Sequence, residues 1–158
     1  MPDHTLVLVR DIAASPERVW RVLTDLDSAA DTLTQVTRVE RLTPGDFGVG
    51  TRWAETRRML GREETQELWV SALEAPRSQQ IRSAAGGVDY TTTFELVPLP
   101  GGTRLTMRFS GAHEGATGVQ RLVWTVLGTL GLAVMRRALA TDLADIAAAA
   151  TRSGARSS

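Results

Sequence analysis

An antiparallel β-sheet curled round one long C-terminal helix, an α+β arrangement, is the fold that this sequence of 158 residues predicts. Three observations carry it. From Val119 the residues Leu122, Val123, Val126, Leu127, Leu130 and Val134, followed by Leu139, Leu143 and Ile146, keep the spacing of one helical face. Upstream, about seven strand-length segments follow one another between glycine- and proline-containing turns. Only two short helices interrupt them, both near the start, so no βαβ alternation points to a parallel sheet. The twist of strands lets a sheet of that size close round a helix.

Each element has a local reason. The run from Thr5 to Ile12 is short and rich in β-branched and aliphatic residues, as a strand is. Ser15 is an N-cap, Pro16 occupies the first helical position and Glu17 sets its charge against the helix dipole; Val19, Trp20, Val22 and Leu23 supply a buried stripe. Asp25 to Leu33 reads as a second short helix. Strands are expected over Val36 to Leu42, Thr51 to Met59, Glu64 to Leu73, Gln79 to Ala84, Val88 to Val97 and Thr103 to Ser110. The turns between them fall at Thr43 to Gly50, Leu60-Gly61, Ala75-Pro76, Gly86-Gly87 and Pro98 to Gly102. The long helix closes the series. Residues 1–152 are expected to form one domain, and the polar stretch 153–158 a disordered tail.

Composition excludes several function classes. Eighteen basic residues balance 18 acidic ones and are scattered, so no basic stripe exists to follow a phosphate backbone, and nucleic acid is not an expected partner. Without cysteine there is no disulfide frame, thiolate metal site or thiol nucleophile. The two histidines, His4 and His113, do not make a metal site, and no cofactor motif is present. The start Met1-Pro-Asp-His4 lacks the pattern of a signal peptide, so a cytoplasmic location is expected. The apolar run from Leu122 to Met135 falls short of the roughly 20 residues a membrane span needs.

The segment Ile12 to Trp20, the hairpin from Thr93–Val97 to Thr103–Phe109 and the glycine-containing apolar helix before Arg136-Arg137 resemble the polyketide cyclase/dehydrase and lipid-transport family. That family lies within the START-like (SRPBCC) superfamily, and the resemblance covers residues 5 to 150. It implies a helix-grip, Bet v 1-like fold with a cavity between sheet and C-terminal helix. It also implies a range of functions: carriers of lipids and other small hydrophobic ligands, aromatic polyketide cyclases and dehydratases, and chaperone regulators. A shared fold does not choose among them.

Strand parity names the residues expected to line such a cavity, because alternate side chains leave opposite faces. Tyr90, Thr92, Phe94 and Leu96 share one face, as do Leu105, Met107 and Phe109, and both sets are expected to point inward. Trp53, Glu55 and Arg57 form the expected inward set of their strand, and Trp69, with Glu67, that of the next; a bulge would shift either assignment. Opposite them stand Trp124, Gly128 and Gly131 on the reverse side of the helix, and Leu127 from its main stripe is expected to join the lining. Such a wall is apolar with a few placed polar groups, as ligand pockets are. Two alternatives stand beside it. The charged residues can form cross-strand pairs on a solvated face, and the helix glycines can serve a homodimer contact. For an enzyme, the expected groups are Tyr90 or Arg57 polarising a carbonyl and Glu55 taking a proton.

Overall fold

A computed structural model of the chain describes residues 4–59, 61–85, 88–113 and 118–156, with side chains described for 5–58, 61–84, 88–111 and 133–152. Strand β1 (His4–Ile12) leads into α1 (Pro16–Thr24) and α2 (Ala29–Thr32). Six strands follow: β2 (Val36–Arg41), β3 (Arg52–Met59), β4 (Arg62–Glu74), β5 (Ser78–Ala85), β6 (Val88–Leu99) and β7 (Gly102–His113). Helix α3 (Gly118–Arg156) ends the described chain. All seven strands pair antiparallel in the order β1-β7-β6-β5-β4-β3-β2, so β1 and β2 are the two edges. The expected α+β helix-grip architecture is the one observed.

Local chemistry explains the element ends. Ser15 Oγ accepts from the Arg18 backbone N–H at 3.3 Å, and Pro16 follows at the first position of α1. Pro100 and Gly101 (φ +78°) form the two-residue loop between β6 and β7, the residue pattern of a type II turn. Helix α3 runs to Arg156. The run Ala147–Ala150 favours helix, and Thr151 Oγ1 donates to the Ala147 carbonyl oxygen at 2.9 Å inside it.

The main core lies between α3, α1 and the β1-β7-β6 side of the sheet. Ile12, Val19, Leu96, Leu105, Leu139, Leu143, Ile146 and Ala150 are buried together there. A second cluster, Leu26, Trp53 and Val70, sits under the other side of the sheet. Thr34 fastens the entry to β2 onto α3, donating from its backbone N–H and its hydroxyl to Asp145 Oδ2, both at 2.9 Å. Thr103 Oγ1 donates to the Ala14 carbonyl oxygen at 2.7 Å and holds the start of β7 to the β1–α1 corner.

At that corner β7 passes very close to β1. A Cβ built on Gly102 would lie 2.4 Å from the Ile12 carbonyl oxygen, a backbone atom that cannot swing aside. Gly102→Ala is therefore expected to cost about 1–3 kcal/mol. Gly48→Ala, with nothing within 4 Å of the added carbon and no left-handed backbone angle, is the control and is expected within about 0.5 kcal/mol of the wild type. Urea midpoints of the two variants check this, and equal midpoints would contradict the close approach.

Candidate functional site

Between the inner face of the sheet and α3 lies a cavity of about 490 Å³, within the usual range for small-molecule sites. Strand β3 contributes Trp53, Glu55 and Arg57; β4 contributes Gln66 and Leu68; β5 contributes Ile81 and Ser83. Tyr90, Thr92 and Phe94 come from β6 and Met107 and Phe109 from β7. Helix α3 closes the opposite side with Met135, Ala138, Leu139, Asp142 and Ile146. The α1–α2 segment adds a third wall through Val22, Leu23, Leu26, Ala29 and Leu33.

The structure thus brings together Trp53, Glu55, Arg57, Tyr90, Thr92, Phe94, Met107 and Phe109, as strand parity predicts. Trp69 is a correction. It does not line the cavity but lies on the outer face, where the Arg52 guanidinium sits 4.9 Å from its ring centre. Glu67 is exposed beside it and accepts from Arg52 Nη1 at 2.8 Å. Pairing across the β3–β4 hairpin is the reason: Trp53 stands opposite Leu68, Glu55 opposite Gln66 and Arg57 opposite Glu64, so the even-numbered residues of β4 share the inner face. The register of β4 against β5 then shifts between Val70 and Ala72, and beyond that irregularity Leu73 packs inward on the second cluster. The side chains of Trp124 and Leu127, together with Gly128 and Gly131, lie outside the residues whose side chains are described.

One end of the cavity is polar and tightly organised. Arg57 Nε donates to Glu55 Oε2 at 2.7 Å. Its Nη1 donates to Asp142 Oδ1 at 3.1 Å, and Nη2 lies 3.0 Å from Asp142 Oδ2, a two-pronged contact that fixes the guanidinium plane. Sequence reasoning missed Asp142. Its signal was position: it falls within the stripe formed by Leu139, Leu143 and Ile146, three residues after Leu139, where a solvated aspartate does not belong. Burial pushes the Asp142 carboxyl above the ordinary carboxylate value; Arg57 works in the opposite direction, and Glu55 and Asp145 add to the rise. Burial works against the charge of Arg57, but Asp142 and Glu55 outweigh it and hold its proton more firmly than in water.

Tyr90 and Phe109 stack with ring centres 5.5 Å apart and planes at 23°. Gly111, opposite Tyr90 in the register, leaves room for that ring, since a Cβ there would come within 3.3 Å of Tyr90 Cε1. Burial, with the Glu64 carboxylate adding to it, raises the pKa of the Tyr90 hydroxyl, which therefore remains a proton donor at neutral pH. Trp53 is 3 % exposed, and its Nε1–H is buried with no hydrogen-bond partner among the described residues. No group of three or more histidine, aspartate or glutamate residues among those described is placed to hold a metal ion. Among the described residues no helix is long and apolar enough to cross a membrane.

Residues 3–151 match the family model described as polyketide cyclase/dehydrase and lipid transport. The chain belongs to this family. Among solved structures, the Zhui aromatase/cyclase from Streptomyces sp. R1128 is similar at a TM-score of 0.79 and 20% identity, over 96% of this chain and 95% of that one. A protein from Thermus thermophilus is similar at a TM-score of 0.79 and 20% identity, over 95% of this chain and 99% of that one. The di-domain ARO/CYC BexL, from the BE-7585A biosynthetic pathway, is similar at a TM-score of 0.72 and 15% identity, over 94% of this chain and 48% of that one. At such identities these likenesses establish the fold that this cyclase/dehydrase and lipid-transport family member shares with them. In sequence, none of the curated proteins compared matches the chain.

Proposed function

We propose that the protein binds one small amphipathic molecule, lipid-like, polyketide-like or otherwise aromatic, in the cavity between the sheet and α3, without dedicated catalysis. The observation that supports this most is the division of the cavity wall. Phe94, Met107, Phe109, Leu139 and Ile146 line an apolar body, and Arg57 with its two carboxylates gathers the polarity at one end. Arg57 commits N–H groups from all three nitrogens to Glu55 and Asp142, which suits a fixed wall element that orients a ligand.

Filling the cavity tests the proposal. Ser83 is buried on β5, lines the cavity and stands opposite Leu68 and Tyr90. Titration with the neutral dye N-phenyl-1-naphthylamine is expected to give a saturable fluorescence rise with one site per chain. Ser83→Phe is expected to weaken it by roughly tenfold or more, a loss of about 1.4 kcal/mol or above. A wild-type protein that gives no saturable signal would overturn the proposal.

A second reading, cyclisation or aromatisation of a polyketide-like chain, is favoured by one specific arrangement. The donors Arg57 and Tyr90 line the same cavity as the Glu55 and Asp142 carboxyls. Arg57 or Tyr90 would polarise a ketone while Glu55 takes the proton from the attacking carbon; a carbon–carbon bond forms, the ketone C=O opens to an alkoxide, and Glu55 returns the proton to it as a hydroxyl. Glu55 then removes a second proton from the same attacking carbon as the hydroxyl departs, the two leaving together as water and a carbon–carbon double bond forming. Turnover of a cyclisable polyketone by the wild type and its loss in Glu55→Gln would carry this second reading.

A further inference from the structure

The charges that line the cavity are unequal. Four carboxylates, Asp25, Glu55, Glu64 and Asp142, face it with two guanidiniums, Arg57 and Arg62. Arg62, Glu64 and Asp25 are exposed at the rim, so the inner part holds Glu55, Arg57 and Asp142 alone among the described residues. The stretch of α3 from Leu122 to Met135 adds no charged residue to this set. The one inner cation among the described residues is already bonded to two carboxyl groups. If Asp142 binds a proton, Glu55 alone still balances the guanidinium. A ligand anion therefore meets no uncompensated positive charge in either state, and its desolvation on entry goes unanswered.

Hydrogen-bond donors, in contrast, are available. The Tyr90 side chain lines the cavity and its hydroxyl keeps its proton at neutral pH, and each terminal nitrogen of Arg57 carries a second hydrogen beyond the one given to Asp142. A carbonyl, ether or hydroxyl oxygen can accept from these without bringing charge. We infer that the cavity selects uncharged ligands with acceptor oxygens or nitrogens and excludes those bearing a carboxylate or sulfonate. Among lipids it takes esters, ketones and alcohols and rejects free fatty acids. This rests on the binding reading above and narrows it to a ligand class.

N-phenyl-1-naphthylamine and 8-anilinonaphthalene-1-sulfonate share one aromatic skeleton and differ by the sulfonate, and both report binding by fluorescence. The wild type is expected to bind the neutral dye at least roughly tenfold more tightly than the sulfonate. That ratio also contains the lower oil solubility of the sulfonate, so the decisive reading is how it changes in variants. Glu55→Gln and Asp142→Asn each remove a carboxylate from Arg57, and each is expected to reduce the ratio several-fold, with the double variant lowering it by roughly tenfold or more. Glu55→Gln keeps the question answerable if Asp142→Asn does not fold, because Asp142 then still holds Arg57. A ratio near one in the wild type, or one unchanged in every folded variant, overturns the charge selection while leaving cavity binding intact. Failure of both dyes to bind overturns the cavity reading itself.

Discussion

Arg57→Ala is expected to lower stability by about 3–5 kcal/mol at pH 8, because it leaves two carboxylates enclosed with no cation between them. The deficit should also depend on pH. Asp142 already has its carboxyl raised by burial, with Arg57 as the largest opposing influence; without the guanidinium it rises further. A carboxyl whose folded-state value exceeds its unfolded value binds its proton more tightly when folded. Its favourable contribution is complete below the unfolded value and is lost as pH rises through the folded one. The variant should therefore regain stability as pH is lowered from 8 towards 5, and its gap to the wild type should narrow. Urea unfolding at both pH values checks this, and a gap of equal size at each would show that Asp142 does not titrate in that window. Replacing the three residues together by apolar ones of similar size, Glu55→Leu, Arg57→Met and Asp142→Leu, is expected to restore most of the loss. Ligand orientation would be lost in that variant, which separates what the charges do for folding from what they do for binding.

The reason this triad was only half legible in the sequence is topological. Glu55 and Arg57 lie two residues apart on one strand, so their common face follows from strand geometry alone. Asp142 reaches Arg57 across 85 residues of chain, and nothing short of the packed fold joins them. The β6–β7 hairpin was more readable, since Tyr90, Thr92, Phe94 and Leu96 alternate without interruption and face Leu105, Met107 and Phe109. Trp69 misled because its size suggested burial, whereas the register is set by the short loop between β3 and β4. That loop pairs Met59 with Arg62 and, counting back along both strands, Trp53 with Leu68. Counting from the turn would have placed Trp69 outside. The α1–α2 wall was out of reach for a different reason: its helical stripe was evident, but Leu26 and Leu33 meet the cavity only because the chain crosses over between β1 and β2, the two edges of the sheet.

Leu105→Ala is expected to cost about 2–5 kcal/mol, the range for removing a large side chain from a filled core. Leu105 is completely buried on β7, in the cluster with Ile12, Val19, Leu96, Leu139 and Leu143. It does not line the cavity, although Met107, two residues along the same strand and face, does. The interface between sheet and α3 therefore changes character within one strand: around Leu105 it is packed solid, and from Met107 onward it opens. That division is what allows a protein of this size to keep a hollow without losing its fold, since the filled end anchors α3 while the open end receives the ligand. Two measurements test the division together. Chemical denaturation of Leu105→Ala should show the full stability loss, with Val97→Ala on the exposed outer face within about 0.5 kcal/mol of the wild type. Affinity of the folded Leu105→Ala protein for N-phenyl-1-naphthylamine should stay close to the wild-type value. A stability loss under about 1 kcal/mol, or dye affinity that falls in step with stability, would mean that core and cavity are one continuous, loosely packed space.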